Sequence, residues 1–215
     1  MFDGHAGEAR MKGKATFGIL LALVATFALE GAKGAIGDEV ALLGMGALPN
    51  DGALHGEYWR LIAYSALHLN YVHLVLNLAL LWWVGNIVER RVGSTGLGIA
   101  YLTSVLVAGS AIILIDMGHP RPGSSVGASG GIFGLVACAL VLLHRKDASA
   151  FGQSKTVRVW LWVVVCAGFG ASVLPGVSLT GHAGGFVVGL LAGWLFPLVH
   201  GAVEQGVGAD EVRGG

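Results

Sequence analysis

Gly127-Ala128-Ser129-Gly130-Gly131 opens an apolar run, Ile132 to Leu143, and follows a polar loop, His119-Pro120-Arg121-Pro122-Gly123-Ser124-Ser125. The run has the composition of a membrane helix, and the serine stands at its mouth among small residues. Flanking glycines let a second helix approach closely. A helix N-terminus also leaves backbone N–H groups without intrahelical partners. A lone serine here would be read as a packing residue. It becomes a chemical feature only if a base is brought to it, because a serine hydroxyl is a weak nucleophile by itself.

The candidate base lies more than fifty residues on, in Gly181-His182-Ala183-Gly184-Gly185. A histidine within an apolar helix is costly and is by default a functional residue. Gly185 and Gly189 sit three and seven residues after it, on its own helical face. Gly181, Gly185, Gly189 and Gly193 make a ladder at every fourth position. If that ladder packs on the Gly127/Gly131 and Gly130/Gly134 pairs, His182 is carried to Ser129. The plainer reading is that the ladder only packs helices and His182 caps one. Ser129 as nucleophile and His182 as general base together describe a serine hydrolase dyad.

Composition sets the solvent. Of 215 residues, 54% are hydrophobic and 12% charged, and mean hydropathy is +0.72. Soluble domains carry about 25% charged residues. The expected class is therefore an all-α polytopic membrane protein. Net charge is zero, which gives no reason to expect a nucleic-acid partner. Cys138 and Cys166 both fall in apolar runs and are expected as packed thiols, not as a disulfide.

Six spans are expected: Thr16–Ala35, Tyr71–Val88, Leu97–Ile115, Ser129–Leu143, Val157–Leu174 closed by Pro175, and Gly181–Val199. Residues 1–15 read as a cytoplasmic segment with a retained first span behind it, 16–200 as the six-helix domain, and 201–215 as a polar tail. The segment Ile36 to Asn70 mixes charges with Tyr58 and Trp59, and is expected to lie in the membrane interface. No internal repeat suggests an inverted-repeat transporter. Such a transporter would also need polar residues across the bilayer, and the cytoplasmic halves of these spans are nearly all apolar.

Orientation follows from the cations. Arg10, Lys12, Lys14, Arg90, Arg91, Arg145, Lys146, Lys155, Arg158 and Arg213 fall on one side if the N-terminus is cytoplasmic; Lys33, Arg60 and Arg121 fall on the other. His73, Asn77, Ser129 and His182 then each lie within roughly 10 Å of the outer ends of spans two, four and six, and so share one depth. His73 and Asn77 share a helical face. They are an intramembrane hydrogen-bonded pair or, functionally, donors to the oxyanion of a tetrahedral intermediate. His68, His73 and His182 have no HExxH pattern and no carboxylate ligand beside them, so no metal is expected. Glu30 and Asp116 are candidate acids for a triad and are left unassigned. Glu89-Arg90-Arg91 reads as a cytoplasmic anchor or an ion pair pinning spans two and three, and Trp59-Arg60 as an interfacial anchor bonding loop carbonyls.

These residues together resemble the rhomboid intramembrane serine proteases. Gly127-Ala128-Ser129-Gly130 looks like their GxSG, and His182 through Gly185 to Gly189 like their HxxGxxxG. His73 to Asn77 is similar to HxxxN, Trp59-Arg60 to WR, and Glu89-Arg90-Arg91 to ExR. The match runs in order over residues 16 to 200, with six spans as in the compact bacterial members. The resemblance implies a Ser129–His182 dyad and an oxyanion hole from His73, Asn77 and the Ser129 N–H. It implies a wet cavity open to the outside and a movable fifth span. It further implies single-span membrane proteins as substrates, an inner (plasma) membrane location and no cofactor. Gly168-Phe169-Gly170-Ala171-Ser172, small and loosely packing, suits such a gate. The competing reading is a non-catalytic relative that binds client spans. The sequence sets no oligomeric state.

Overall fold

The computed structural model describes residues 13–49, 51, 53–116, 123–145, 155–172 and 177–197. It is helical apart from one two-residue ladder. The helices are α1 (Lys14–Ala32), α2 (Glu39–Met45), α3 (Arg60–Ala63), α4 (Tyr71–Asp116), α5 (Ser129–His144), α6 (Lys155–Ala171) and α7 (Leu179–Leu195).

Helix α5 is the axis of the bundle. Every residue from Gly130 to Leu143 is buried. A helix that is apolar all round belongs inside other helices, and α4 and α7 supply most of the wall. Around it the pattern inverts. Helix α1 buries one stripe, Thr16, Leu23, Phe27 and Glu30, at helical spacing. Its other face exposes Phe17, Leu21, Val24 and Leu29. Trp82 on α4, Trp160 and Trp162 on α6, and Trp194 on α7 also point outward. So broad an apolar exterior would be untenable in water and suits a hydrocarbon surround.

Among the described residues two helices are long and apolar enough to cross a bilayer, Lys14–Ala32 and Tyr71–Ile115; α5 and α7 are apolar but shorter. At 1.5 Å per residue, the 16 residues of α5 rise about 24 Å, short of a ~30 Å core. The expected second and third spans are not separate elements. They run on as one 46-residue helix, broken only at Gly93, where φ is 75° and ψ 172°. That left-handed φ suits glycine, which has no Cβ to clash. The chain thus reverses at one residue, and no loop marks the break.

The α5–α7 contact is made by backbone. A Cβ built on Gly185 would lie on the Gly130 carbonyl, and one on Gly189 on the Gly134 carbonyl. Gly130 and Gly134 therefore meet the ladder as expected. Gly127 and Gly131 do not, and Gly181 approaches Gly130 only with its carbonyl. Gly131 faces Tyr101 and Val105 of α4, Gly181 faces Ile112 of α4, and Gly127 faces the His73 ring. Gly130 and Gly134 also turn their bare α-carbons to Ala108 and Ser104 of α4, so two neighbours approach the same glycines at once.

The far end of the bundle is held by Glu89. Its carboxylate accepts from the Ala15 and Thr16 N–H groups at 2.8 and 2.9 Å, from Thr16 Oγ1 at 2.6 Å, and from Ser94 Oγ at 2.5 Å. It caps the start of α1, where a negative charge is favoured, and thereby fastens α1 to both arms of α4. Arg145 donates to the Gly193 and Phe196 carbonyls at the end of α7. Both cysteines are free; Cys138 is buried as expected, but Cys166 is exposed on the outer face of α6. Arg10, Lys12, Lys146, Pro175, Arg213, the tail from 201, and the loop residues from His119 to Pro122 lie outside the described residues.

The glycine contacts give a direct test. Gly189→Val should cost ~3 kcal/mol or more by overpacking backbone against backbone. Gly98→Ala, where a Cβ meets nothing within 4 Å, should be neutral or slightly stabilising. Thermal unfolding of both variants in one detergent measures the difference.

Candidate active site

The segment between α1 and α4 is built as a platform under the serine. Asp38 caps α2 by accepting from the Ala41 N–H at 3.0 Å. Arg60 then gathers the segment. Its guanidinium donates to the Leu43 and Ala47 carbonyls at 2.6 and 3.0 Å, pairs with Glu57 at 2.8 Å, and lies 4.9 Å from the Trp59 ring centre. This is the carbonyl anchoring expected of Trp59-Arg60. Leu48–Pro49 (β1) pairs antiparallel with Ser124–Ser125 (β2), Leu48 opposite Ser125. The ladder binds the platform to the strand that leads into α5. Tyr64 adds two further ties. Its carbonyl accepts from the Gly127 N–H at 2.9 Å, and its hydroxyl donates to the Val105 carbonyl at 2.9 Å.

Gly127 has φ +123°, which turns the chain into α5, and the His73 ring packs on its bare α-carbon. A Cβ there would come 2.6 Å from His73 Cε1. Any side chain at 127 would push His73 away from the serine loop. Ser129 is the first residue of α5 and is partly exposed. The N–H groups of the first turn have no carbonyl one turn back, so they are available beside its hydroxyl.

His182 lies in the first turn of α7, which is capped by Ser178 Oγ accepting from the Gly181 N–H at 3.0 Å. It is 7% exposed. Its Nε2 is 3.1 Å from Ser129 Oγ. The ring is stacked on Phe133, with centres 4.2 Å apart and planes 7° from parallel. Phe133 is one turn beyond Ser129, so α5 supplies both the hydroxyl and the surface against which the imidazole lies flat.

Asn77 is buried one turn from His73, and its Nδ2 donates to the His73 carbonyl at 3.1 Å. The second N–H of that amide remains for another acceptor. His73 makes an edge contact with His68, ring centres 5.1 Å apart. His68 is fully buried. Burial, with the nearby His73 adding to it, pulls its pKa down to about 4, so it is neutral at physiological pH. Glu30 accepts from the His68 N–H at 3.1 Å. It thus serves the platform under His73, and the partner of the second His182 nitrogen is a different residue. That partner is Ser172, the residue directly after α6, whose Oγ is 3.2 Å from His182 Nδ1. The other candidate acid, Asp116, ends α4, and its side chain is outside the described residues.

A family model described as the Rhomboid domain matches residues 55–198. The chain belongs to the rhomboid family. The rhomboid protease GluP of Bacillus subtilis is 33% identical over 183 residues, covering 84% of this chain and 34% of that protein. RHOMBOID-like protein 4 of Arabidopsis thaliana is 34% identical over 152 residues, 70% of this chain and 37% of the relative. The rhomboid protease GlpG of Klebsiella pneumoniae is 27% identical over 180 residues, 82% and 62% respectively. The chain thus spans from about a third to under two thirds of the length of these relatives.

Within this rhomboid chain, sequence reading missed Ser172 as a partner of the imidazole. It was noted only as a small residue of α6. No spacing signal could have found it, because it meets His182 from another helix.

Arg60→Ala should free the platform without touching the α5–α7 contact. Backbone amides at Leu42 and Ala47 should exchange with deuterium at least tenfold faster, with those of 132–143 unchanged. Exchange read by mass spectrometry checks this.

Proposed function

We propose that this rhomboid is an intramembrane serine endopeptidase acting through Ser129 and His182. The single observation that carries the reading is the 3.1 Å approach of His182 Nε2 to Ser129 Oγ in a family where relatives bear the name protease. Ser129 Oγ attacks a peptide carbonyl while its proton passes to Nε2. The tetrahedral oxyanion is met by the Ser129 N–H, His73 and Asn77. As the C–N bond breaks, His182 gives the proton to the leaving amine. Water then cleaves the acyl-enzyme by the same steps in reverse, releasing the new carboxylate and restoring the hydroxyl.

The six-span topology belongs to the same proposal. The two arms of α4 count as separate spans, and the termini are cytoplasmic. The end of the bundle that holds Ser129 and His182 then opens outward, on the periplasmic side of a bacterial inner membrane. Water reaches the site from that side, since hydrocarbon holds none. Substrates are single-span membrane proteins cut near the outer face. Their scissile segments carry small or helix-breaking residues, because a peptide bond inside a stable helix is shielded by its own hydrogen bonds. No cofactor takes part.

A fluorophosphonate probe tests the nucleophile. Wild-type protein in detergent should label, and Ser129→Ala and His182→Ala should lose at least a hundredfold of the rate. Co-expression with tagged single-span proteins should then yield Ser129-dependent fragments. Equal labelling of wild type and Ser129→Ala removes the enzyme reading and leaves a non-catalytic, client-binding rhomboid.

A further inference from the structure

Both nitrogens of the His182 ring have partners, and the two partners come from different helices. Nε2 faces Ser129 Oγ of α5, and Nδ1 faces, at 3.2 Å, Ser172 Oγ at the end of α6. Ser172 Oγ is also 3.0 Å from the Gly168 carbonyl, one turn back on α6. A hydroxyl has one proton and a carbonyl has none to give. The Ser172 proton therefore points at Gly168, and Ser172 meets the imidazole with a lone pair. In that arrangement Nδ1 carries the ring hydrogen, which the Gly168 carbonyl is also placed to accept. Nε2 is then bare, and the Ser129 hydroxyl donates to it. The bonding fixes the tautomer needed by a general base at Nε2.

Helix α6 is held at this spot by aromatic edges as well. Phe169 meets Phe133 at 5.6 Å and Phe186 of α7 at 5.9 Å, both edge-on. Gly168 lets Phe133 pass: a Cβ there would overlap the Phe133 ring. The end of α6, from 168 to 172, thus touches both the stacking partner of the imidazole and the imidazole itself.

We infer that Ser172 is the positioning residue of the base, holding His182 in the Nδ1–H tautomer, so that α6 completes the dyad; this rests on the hydrolase reading above. Ser172 stands where a carboxylate stands in a triad, but it is neutral. It orients the ring without a full charge to offset the imidazolium. A second consequence follows from its place on α6. Movement of this helix away from α7 removes the Nδ1 acceptor, so a displaced α6 leaves His182 free to rotate or change tautomer. Base competence and the position of α6 are one variable.

The test uses the full chain in detergent with three variants: Ser172→Ala, Ser172→Val and Ser172→Thr. Threonine keeps the hydroxyl; valine matches its shape without it. Inactivation by a fluorophosphonate is resolved into kinact and KI, and 15N-histidine spectra report which His182 nitrogen is protonated. Ser172→Ala and Ser172→Val should lower kinact about tenfold with KI unchanged, the loss of roughly one hydrogen bond. Ser172→Thr should stay within about twofold of wild type on the same scale. The wild-type spectrum should show Nδ1 protonated and Nε2 bare, and the alanine variant a mixture of tautomers. A folded Ser172→Ala protein with wild-type kinact and an unchanged spectrum overturns the inference. So does a Ser172→Thr protein as slow as Ser172→Val. A wild-type protein that fails to label overturns the hydrolase reading instead, and the 15N spectra still decide the tautomer.

Discussion

Two carbonyls occupy the space where two side chains would be. The Gly130 and Gly134 carbonyls of α5 stand where Cβ atoms on Gly185 and Gly189 of α7 would fall. Without side chains between them the helices touch backbone to backbone, and their N-termini come level. Ser129 precedes Gly130 by one residue, and His182 precedes Gly185 by three. Those short offsets turn a packing contact into a hydrogen bond of 3.1 Å. Hydrophobic burial cannot set such a distance, because lipid is as apolar as leucine and exerts no pull between spans. Close van der Waals fit must do it, and glycine is the residue that permits the fit.

Central burial follows from the same constraint. Helix α5 meets α7 through the Gly130 and Gly134 carbonyls, and meets α4 through the bare α-carbons of Gly130 at Ala108, Gly131 at Tyr101 and Val105, and Gly134 at Ser104. It is left with no surface to expose from Gly130 to Leu143. Polar groups can then sit only at its end, where first-turn N–H groups lack carbonyl partners. The platform from Ile36 to Asn70 finishes that end. It fixes the incoming strand by the Leu48–Ser125 ladder and by the Tyr64–Gly127 bond. It also sets His73 against the turn at Gly127.

Sequence makes visible what repeats along a helix. The apolar runs predict α1, α5, α6 and α7 to within a few residues, and the fourfold glycine spacing predicts which face of α7 is bare. The approach of His182 to Ser129 follows from that spacing. Contacts between separate elements leave no such trace. Nothing in the spacing tells that Glu89 serves the backbone of α1, or that Leu48 pairs with Ser125. Nor does it tell that Gly131 faces α4, since Gly130, Gly131 and Gly134 form a patch wide enough for either neighbour. The single-residue break at Gly93 is invisible for another reason. A membrane span is read by its length of apolar chain, and a reversal with no loop leaves only charge and one glycine to mark it.

The arrangement also divides the contacts of His182 between a backbone-locked neighbour and one held by side chains. The spacing of Ser129 from His182 is set by α5 and α7, whose contact is backbone on backbone and rigid. The orientation of the imidazole is set by rings and a hydroxyl: Phe133 on its face and Ser172 at its far nitrogen. Of these only Ser172 comes from the end of α6, and α6 exposes Val159, Trp160, Trp162 and Val163 on its outward face. A helix held by side chains alone, Leu161 and Val165 in the core, one aromatic turn and one hydroxyl, separates from its neighbours at lower cost than one locked by interleaved backbones. Distance is thus assigned to the stiff pair and orientation to the yielding one. On the proposed peptidase reading, a displacement of α6 disturbs the Ser172–His182 contact before it disturbs the Ser129–His182 separation.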